Sequence, residues 1–352
     1  MNLIYDLDFS ELSRVVLNWG QPAFRAQQIW TGLYKNFWHS PDEFTNLPKS
    51  VREKMALEFR FNVLTPNLVL DSSDGQTRKI LFKLVDGRQV EAVLMRYSKR
   101  RTLCISTQVG CAMGCTFCAT GQMGFSRHLS SGEIVAQVMY YASQLHLESS
   151  TVTNIVLMGM GEPFHNYENT MKAIDLLNDA DGYNFGARRI TISTSGLVPA
   201  IRKFSSEKRQ VNLAVSLHAA ENDLRESMMP VNKRYDIEEL ITACREYVET
   251  TGRRITFEWA LINGINDTPE QAHKLVTLLK GLICHVNAIP LNPTMGYSGK
   301  ATSRERADAF KQILETNGIP CTIRTRRGID IYAGCGQLAS HDTGQKINFE
   351  IT

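Results

Sequence analysis

The sequence predicts an α/β fold in which an incomplete barrel of βα units follows a small helical domain and a short antiparallel β extension. Two observations carry this prediction. From residue 102 onward, apolar β-branched segments alternate with helical patterns, and alternating βα units form a parallel sheet with right-handed crossovers. The units number about six or seven, fewer than in a closed eight-stranded barrel, so we expect a partial barrel of the (β/α)6 type. An open doubly wound sheet is the alternative.

The composition is that of a globular protein. The 352 residues are 43% hydrophobic and 21% charged, with a net charge of +3, which excludes disorder, collagen-like repeats and a small disulfide scaffold. No segment approaches the roughly 18 apolar residues of a membrane span, and the amino terminus lacks the basic-then-apolar pattern of a signal peptide. We therefore expect a cytoplasmic protein that makes no membrane contact. We also expect a monomer.

Residues 1–60 are predicted to form an all-helical accessory domain. The segment after Pro22 places Ala26, Ile29 and Trp30 on one helical face. Three of the four tryptophans lie in this region, which gives it an aromatic core of its own. The domain serves either as a packing appendage or as a module that docks a substrate.

Residues 61–96 change to a β pattern. Thr77–Val85 and Arg88–Met95 are rich in apolar and β-branched residues. They flank Asp86-Gly87, which is a strong signal for a two-residue hairpin. We expect a short antiparallel extension here.

Residues 97–352 carry the βα units. Ser130–Glu133 and Thr302–Glu305 have the pattern of capping boxes, and Thr268-Pro269 places proline at the first position of a helix. These signals mark where helices begin between the strands. The candidate strands are 102–107, 153–158, 189–194, 210–217, 254–262, 284–291 and 320–325.

Three cysteines cluster within eight residues. Cys111, Cys115 and Cys118 have the spacing C-x3-C-x2-C, just after the first strand of the βα series. In a reducing compartment such thiols are metal ligands, nucleophiles or buried apolar residues before they are disulfides. Three thiolates on one loop can hold three corners of a cubic iron–sulfur cluster and leave its fourth iron open. A structural zinc site would need a fourth ligand, for which Cys104 is the candidate.

Polar residues and glycines follow several predicted strands at their carboxyl ends, where parallel α/β folds bind ligands. Each is ambiguous alone, since a serine can cap a helix and a buried histidine can serve packing only. Their shared position favours a ligand site at this end of the sheet. The residues are Gly161, Glu162, Ser193, Ser216, Leu217, His218 and Asn292.

The cysteine motif resembles that of the radical S-adenosylmethionine (SAM) superfamily, and Gly159-Met-Gly-Glu-Pro163 resembles the glycine-rich segment of that superfamily. The resemblance implies one 4Fe–4S cluster held by Cys111, Cys115 and Cys118, with SAM bound to its open iron. It also implies that the seven residues at the strand ends contact SAM. Because the cluster must be reduced, an electron donor such as flavodoxin is an expected partner.

Two further cysteines narrow the resemblance. Cys104 in Leu-Cys-Ile-Ser-Thr-Gln-Val-Gly and Cys335 in Ala-Gly-Cys-Gly-Gln-Leu look like the extra cysteines of the adenine-modifying RNA methyltransferases in this superfamily. Those enzymes methylate carbon 2 (the RlmN type) or carbon 8 (the Cfr type) of an adenosine in 23S ribosomal RNA. Some of the former also act on transfer RNA. The segment Gly161-Glu-Pro163 resembles the corresponding segment of the carbon-2 enzymes.

The resemblance implies a relay of thiols, because carbon 2 of adenine is electron-poor and cannot attack the SAM methyl group directly. Cys335 takes a methyl group from one SAM, a radical derived from a second SAM activates that methyl group, and its carbon adds to the base. Cys104 then forms a transient disulfide with Cys335 and releases the product. The remaining cysteines are expected to be buried apolar residues: Cys244, Cys284 and Cys321.

Glu91 is implied as the proton acceptor of this reaction. It lies on the second strand of the predicted hairpin, on the same face as Val93 and Met95. Apolar neighbours would raise the pKa of its carboxyl group and favour proton transfer. By pattern alone, a solvent-exposed glutamate on an edge strand is the alternative.

Two groups of cations flank the strands that carry Cys104 and Cys335. Residues 96–101 contain four cations and no acid, and residues 324–327 contain three more cations. Both groups can contact RNA phosphates, although a solvated surface explains many such clusters. The alternatives to a carbon-2 enzyme are a carbon-8 enzyme with the same relay, a radical SAM enzyme with a smaller or protein substrate, and a non-catalytic zinc-bearing RNA-binding protein.

Overall fold

The amino-terminal part of the chain is a small, mainly helical unit. The computed structural model describes residues 2–339. The elements of this unit are β1 (Asn2–Leu3), α1 (Phe9–Asn18), α2 (Phe24–Tyr34), α3 (Lys49–Glu58) and β2 (Phe59–Arg60). Because β1 and β2 pair in parallel, the unit predicted to be all-helical also contains a two-residue β ladder that joins its ends.

Aromatic side chains fill the interior of the helical unit, as the sequence predicts. Trp30 and Phe44 are fully buried, and the Trp30 indole donates a hydrogen bond to Asp179 at 3.1 Å. Asp6 accepts a hydrogen bond from the main-chain N–H of Gly132 at 2.6 Å. These contacts pack the unit directly onto the rest of the protein.

The predicted hairpin forms at Asp86-Gly87. It joins β4 (Thr77–Leu84) to β5 (Gln89–Arg96) in antiparallel pairing, and β3 (Leu64–Asp71) pairs with β4 as an additional strand. β5 in turn pairs antiparallel with β6, the first strand of the βα series (Arg101–Cys104). The extension is therefore continuous with the main sheet.

All seven strands predicted for the βα series are present and pair in parallel. After β6, a short antiparallel ribbon of β7 (Gln108–Gly110) and β8 (Phe125–His128) precedes the next parallel strand. The later parallel strands are β9 (Asn154–Leu157), β10 (Ile190–Thr194), β11 (Asn212–Ser216), β12 (Ile255–Leu261), β13 (Cys284–Pro290) and β14 (Cys321–Ile323). The helices are α4 (Ala119–Gln122), α5 (Ser131–Leu147), α6 (Tyr167–Asn178), α7 (Val198–Ser206), α8 (Asn222–Met228), α9 (Ile237–Thr251), α10 (Pro269–Leu279) and α11 (Arg304–Thr316).

The order of the strands decides between the two predicted architectures. The ten-stranded sheet runs β14-β13-β12-β11-β10-β9-β6-β5-β4-β3. Each parallel strand lies beside the previous parallel strand of the chain, and the order never reverses. Since a doubly wound sheet has a point of reversal, that alternative is wrong and the barrel-like winding is confirmed. Within residues 2–339 the end strands β14 and β3 do not pair with each other, so the barrel is incomplete.

The two faces of the sheet differ in what covers them. On β12, Phe257 and Trp259 are fully buried, and the Trp259 ring lies 5.6 Å from that of Phe310 on α11. Side chains alternate along a strand, so Glu258 and Ala260 point to the opposite face. That inner face carries the candidate site.

Helix starts follow the sequence signals with one exception. The capping box of Ser130 and Glu133 is complete at the start of α5. The capping box predicted at Thr302 is wrong: Ser303 caps α11 by accepting the N–H of Arg306, while Thr302 donates a hydrogen bond to Asp267 at 2.6 Å. Among the helices of residues 2–339, none has the length and apolar character needed to cross a membrane.

Candidate active site

A cavity opens on the inner face of the sheet, at the carboxyl ends of the parallel strands. The loop after β7 supplies three thiols, and residues at the ends of β9, β10, β11 and β13 form much of the remaining wall. Most of the predicted site residues therefore meet here. Those that line the cavity are Cys111, Cys115, Cys118, Gly161, Glu162, Ser193, Ser216, His218, Asn292 and Cys335.

Three predicted site residues lie elsewhere. Among the residues described as lining this cavity, Leu217, Cys104 and Glu91 are absent. Leu217 is fully buried, although its neighbours in the chain, Ser216 and His218, both line the cavity. Its N–H donates a hydrogen bond to the carbonyl of Glu258. Cys104 lines a second, smaller cavity that it shares with Cys335.

The cysteine loop is held at its base by the β7–β8 ribbon. Within the loop, Gly114 adopts a φ of +64°, and the N–H of Thr116 is bonded to the carbonyl of Met228. Burial raises the pKa of Cys111 to about 12 and also raises that of Cys115, so both prefer the neutral thiol when no cation is bound. Across residues 2–339, no three His, Cys, Asp or Glu side chains converge tightly enough to hold a single metal ion. In a cubic cluster each thiolate binds a different iron.

Glu162 is fixed by main-chain hydrogen bonds. Its Oε2 accepts the N–H of Ser195 at 2.7 Å, and its Oε1 accepts the N–H of Phe164 at 3.0 Å. Burial raises the pKa of its carboxyl group. The preceding Gly161 has a φ of +102°, and a Cβ there would lie 2.5 Å from the Cβ of Gln108. Only glycine fits against Gln108 here, and Gly161 itself lines the cavity.

His218 is a neutral ring held in one orientation. Its backbone adopts a φ of +60°, and its Nδ1 accepts the N–H of Ala260 at 2.9 Å. Burial lowers the pKa of the imidazole to about 3. With Nδ1 accepting, the proton of the neutral ring lies on Nε2. The Phe117 ring packs edge-on against it at 4.9 Å.

One buried polar atom on the cavity wall, Oδ1 of Asn292, has no hydrogen-bond partner among the residues described. Buried polar groups are nearly always satisfied, so this atom fits a polar ligand such as the amino-acid part or the ribose of SAM. Together with three thiols on one loop, the wall has the donor set that a cluster and SAM require.

Cys335 borders both cavities, and Cys104 lies across the second one. Burial raises the pKa of Cys104 to about 12. Burial by the surrounding residues also raises the pKa of the Cys335 thiol, and the guanidinium of Arg324 acts to lower it. The residue as a whole is still exposed to solvent. All eight cysteines are free thiols, so the structure does not contain the disulfide that the resemblance implies as a transient step.

Glu91 is buried and paired, so the alternative of an exposed glutamate on an edge strand is wrong. It lies on β5, which is not an edge strand, and only 2% of its surface is exposed. Its Oε1 lies 2.9 Å from Nζ of Lys79, and its Oε2 accepts the N–H of Ala339 at 2.9 Å. The sequence analysis predicted the apolar neighbours of Glu91 but not the cation of Lys79 beside its carboxylate.

The two cation groups have different surroundings. Arg324, Arg326 and Arg327 line the second cavity beside both thiols. In the first group, Arg96 is paired with Glu148 at 2.6 Å, so it is not a freely solvated charge. The guanidinium of Arg327 lies 4.4 Å from the Tyr97 ring and that of Arg100 lies 4.9 Å from the same ring. Tyr97 thus brings the two groups together.

Glu258 belongs to the site but was not predicted. It lines the main cavity, and its Oε2 accepts a hydrogen bond from Asn287 at 2.7 Å. Burial raises the pKa of its carboxyl group to about 7, although Arg324 and Asn287 act to lower it. One acidic residue inside the apolar segment Ile255–Leu261 is the signal that would have identified it.

Comparisons with known proteins agree with this arrangement. The family model of the radical SAM superfamily matches residues 105–276, and that of the ribosomal RNA large subunit methyltransferase N-terminal domain matches residues 1–60. The chain is 49% identical over 335 residues to the dual-specificity RNA methyltransferase RlmN 1 of Myxococcus xanthus, which covers 95% of this chain and 93% of that protein.

Two further matches have similar coverage. The probable dual-specificity RNA methyltransferase RlmN of Chloroflexus aurantiacus is 47% identical, with 96% of this chain and 92% of that protein covered. The crystal structure of a radical SAM methyltransferase from Sphaerobacter thermophilus has a TM-score of 0.95 and 51% identity, and covers 97% of this chain and 100% of that one. The chain therefore belongs to the radical SAM superfamily and, within it, to the RlmN family of RNA methyltransferases.

Proposed function

We propose that this protein methylates carbon 2 of an adenosine in 23S ribosomal RNA, and of an adenosine in transfer RNA, through a methylated Cys335. The observation that carries the proposal is the place of Cys335 on the boundary of two cavities. One cavity contains the three clustered thiols, and the other contains Cys104. A thiol that must first accept a methyl group and later meet a second thiol needs both neighbours.

Membership of the superfamily implies an iron–sulfur cluster and SAM. We propose a 4Fe–4S cluster on Cys111, Cys115 and Cys118. When bound, the cluster and SAM supply the radical that removes hydrogen from a methyl group. The neutral His218 ring and the unpartnered Oδ1 of Asn292 support a polar ligand in the cavity. The proposed SAM-binding residues are Gly161, Glu162, Ser193, Ser216, Leu217, His218 and Asn292.

The protein's own residues perform the remaining steps. Cys335 accepts the methyl group as a thiolate, which the nearby Arg324 favours. Glu91 accepts the proton that leaves the ring carbon, and the oxidised cluster, when bound, would accept the one electron that the radical adduct must also lose. Cys104, as the thiolate, then attacks the sulfur of Cys335 and breaks the bond between that sulfur and the methylene carbon. The carbon takes up a proton to become the methyl group of the released base, and the disulfide remains on the protein. Reduction of that disulfide by cellular thiols restores the enzyme.

RNA binding is proposed at the second cavity, where Arg324, Arg326 and Arg327 lie beside the two thiols. The target nucleotide must leave its stack to reach them. We propose residues 1–60 as an accessory RNA-docking domain, 61–96 as the β extension and 97–352 as the catalytic core. The protein is proposed to act as a monomer with flavodoxin or a similar electron donor.

Nucleoside analysis tests the proposal. Reconstituted protein, SAM and a reductant are incubated with 23S ribosomal RNA and with transfer RNA from a strain that lacks this gene. Digestion and mass spectrometry against 2-methyladenosine and 8-methyladenosine standards then identify the product. We expect 2-methyladenosine in both RNAs. 8-Methyladenosine would establish the carbon-8 alternative, and no methylated adenosine with a fully loaded cluster would contradict the proposal.

A further inference from the structure

We propose that Lys79 is a positioning residue that holds the thiol of Cys335 in place for methylation. The proposal concerns residues 328–339, which we call the Cys335 segment. It rests on the proposed function, because it assumes that Cys335 accepts a methyl group. Its basis is the buried ion pair of Lys79 and Glu91 in the β extension, which forms hydrogen bonds with the main chain of this segment before and after Cys335.

The ion pair is formed between adjacent strands of the extension. Lys79 lies on β4 and Glu91 on β5, where Lys79 is opposite Val93, so Glu91 is its diagonal neighbour on the same face. Lys79 is 6% exposed and Glu91 is 2% exposed. Nζ and Oε1 are 2.9 Å apart. Lysine is almost never buried to this degree unless it is paired.

Each member of the pair also binds the main chain of the Cys335 segment. Nζ of Lys79 donates a hydrogen bond to the carbonyl of Tyr332 at 3.1 Å. Oε2 of Glu91 accepts the N–H of Ala339 at 2.9 Å. One contact precedes Cys335 in the chain and the other follows it. The ion pair therefore brackets the thiol.

Further contacts place the segment between the extension and the barrel. Asp330 accepts the N–H of Ser73, in the turn before β4, at 2.7 Å. From the barrel, Asn292 donates to the carbonyl of Cys335 at 3.0 Å and Thr120 donates to that of Leu338 at 2.6 Å. The β extension thus holds one side of the Cys335 segment, and Lys79 is the buried cation among the residues that make these contacts.

Stability alone does not explain a lysine at this position. Replacing a buried ion pair by apolar residues of similar volume is often neutral or stabilising. Apolar side chains would, however, leave the carbonyl of Tyr332 and the N–H of Ala339 without these partners. We conclude that the pair fixes the direction of the Cys335 segment rather than adding to its packing.

The direction of the Cys335 segment controls methyl loading, which is the transfer of a methyl group from SAM to the Cys335 sulfur. As the bond between the SAM sulfur and its methyl carbon breaks, the bond between the Cys335 sulfur and that carbon forms. The thiol proton passes to solvent, and S-adenosylhomocysteine leaves. The step requires the sulfur in line with the methyl group, and therefore depends on the direction of the segment.

The test uses reconstituted holoenzyme without RNA and compares Lys79→Met with wild type. The rate of Cys335 methylation by SAM is followed by peptide mass spectrometry, and the exchange of main-chain amides in residues 328–339 by deuterium uptake. We expect methylation about tenfold slower and exchange about tenfold faster, as for a lost buried hydrogen bond. Lys83→Met removes an exposed lysine from the same strand and is expected to match wild type.

A second variant separates positioning from folding. Lys79→Met alone takes the Lys79 charge away from the buried Glu91 carboxylate, so Lys79→Met/Glu91→Gln removes both charges of this pair and keeps an oxygen for Ala339. We expect it to fold with the full iron content and still to load methyl about tenfold slower, since Tyr332 has lost its donor. Loading by the double variant at the wild-type rate would overturn the role of Lys79. Absence of methyl on Cys335 in the wild-type protein would instead contradict the proposed function.

Discussion

Asn292 holds the main chain of Cys335: its Nδ2 lies 3.0 Å from the carbonyl oxygen of that residue. The side chain also lines the main cavity, and its buried Oδ1 accepts no hydrogen bond from any residue described. One amide just after β13 therefore connects the main cavity with the segment that carries Cys335.

Asn292→Ala is expected to weaken SAM binding by about tenfold, because a buried hydrogen bond contributes roughly 1–1.5 kcal/mol. Calorimetric titration of SAM into reconstituted protein measures the change. Asn317→Ala, at the exposed end of α11, is the matched control and should bind as wild type does. Equal affinity in Asn292→Ala would remove this residue from the SAM site.

Gly161→Ala is expected to destabilise the protein more than Gly264→Ala. Both glycines have positive φ, but a Cβ at Gly264 meets nothing within 4 Å, whereas one at Gly161 would lie 2.5 Å from Gln108. The control should lose about 1 kcal/mol from backbone strain, and Gly161→Ala a further ~1–3 kcal/mol from overpacking. Urea unfolding measures both. Equal losses would mean that Gly161 is needed only for its backbone angle.

Glu258 is expected to make stability depend on pH. Its pKa is raised by burial from 4.5 in the unfolded chain to about 7 in the folded protein. The folded state binds this proton more tightly, so the contribution is fully present below pH 4.5 and is lost as the pH rises through 7. The difference corresponds to about 3 kcal/mol. In urea unfolding, Glu258→Gln should lack this loss between pH 5 and pH 8; a parallel pH dependence in the variant would contradict the assignment.

Cys115→Ala is expected to lose the cluster and SAM cleavage together, because three protein thiolates leave no spare ligand. Iron analysis and the yield of 5′-deoxyadenosine measure the two effects. Cys244→Ala removes a thiol that is fully buried in the core, so it should keep its iron. A Cys115→Ala protein with the full iron content and normal cleavage would disprove the ligand assignment.

Local patterns predicted much of the fold and the site. Cys111, Cys115 and Cys118 lie within one loop, so their spacing alone indicates a shared ligand. The Asp86-Gly87 turn is likewise encoded by two adjacent residues. The carboxyl ends of the parallel strands follow from the βα order, which is why most of the cavity wall could be predicted.

The contacts that the sequence did not reveal join residues distant in the chain. Lys79 and Glu91 meet diagonally across two strands, and their partners Tyr332 and Ala339 are more than 240 positions away. Glu258 reaches the cavity only because side chains alternate on β12. Such pairings depend on strand register and on the docking of remote segments, which no local pattern specifies.

In the proposed relay Cys104 acts last, after the methyl carbon on Cys335 has bonded to the base. Cys104→Ala should therefore load its methyl group and attach to RNA, but fail to release it. Denaturing gel electrophoresis with labelled RNA, followed by nuclease digestion and peptide mapping, measures the covalent species. Cys335→Ala should form none, and Cys321→Ala, a buried thiol outside both cavities, should turn over normally.

The thiol relay predicts that Cys104→Ala forms a protein–RNA adduct linked through Cys335, with little free methylated RNA. A buried apolar role for Cys104 predicts instead a stability change of about 1 kcal/mol and normal turnover. Free methylated RNA formed by Cys104→Ala at the wild-type rate, with no crosslink, would contradict the thiol relay.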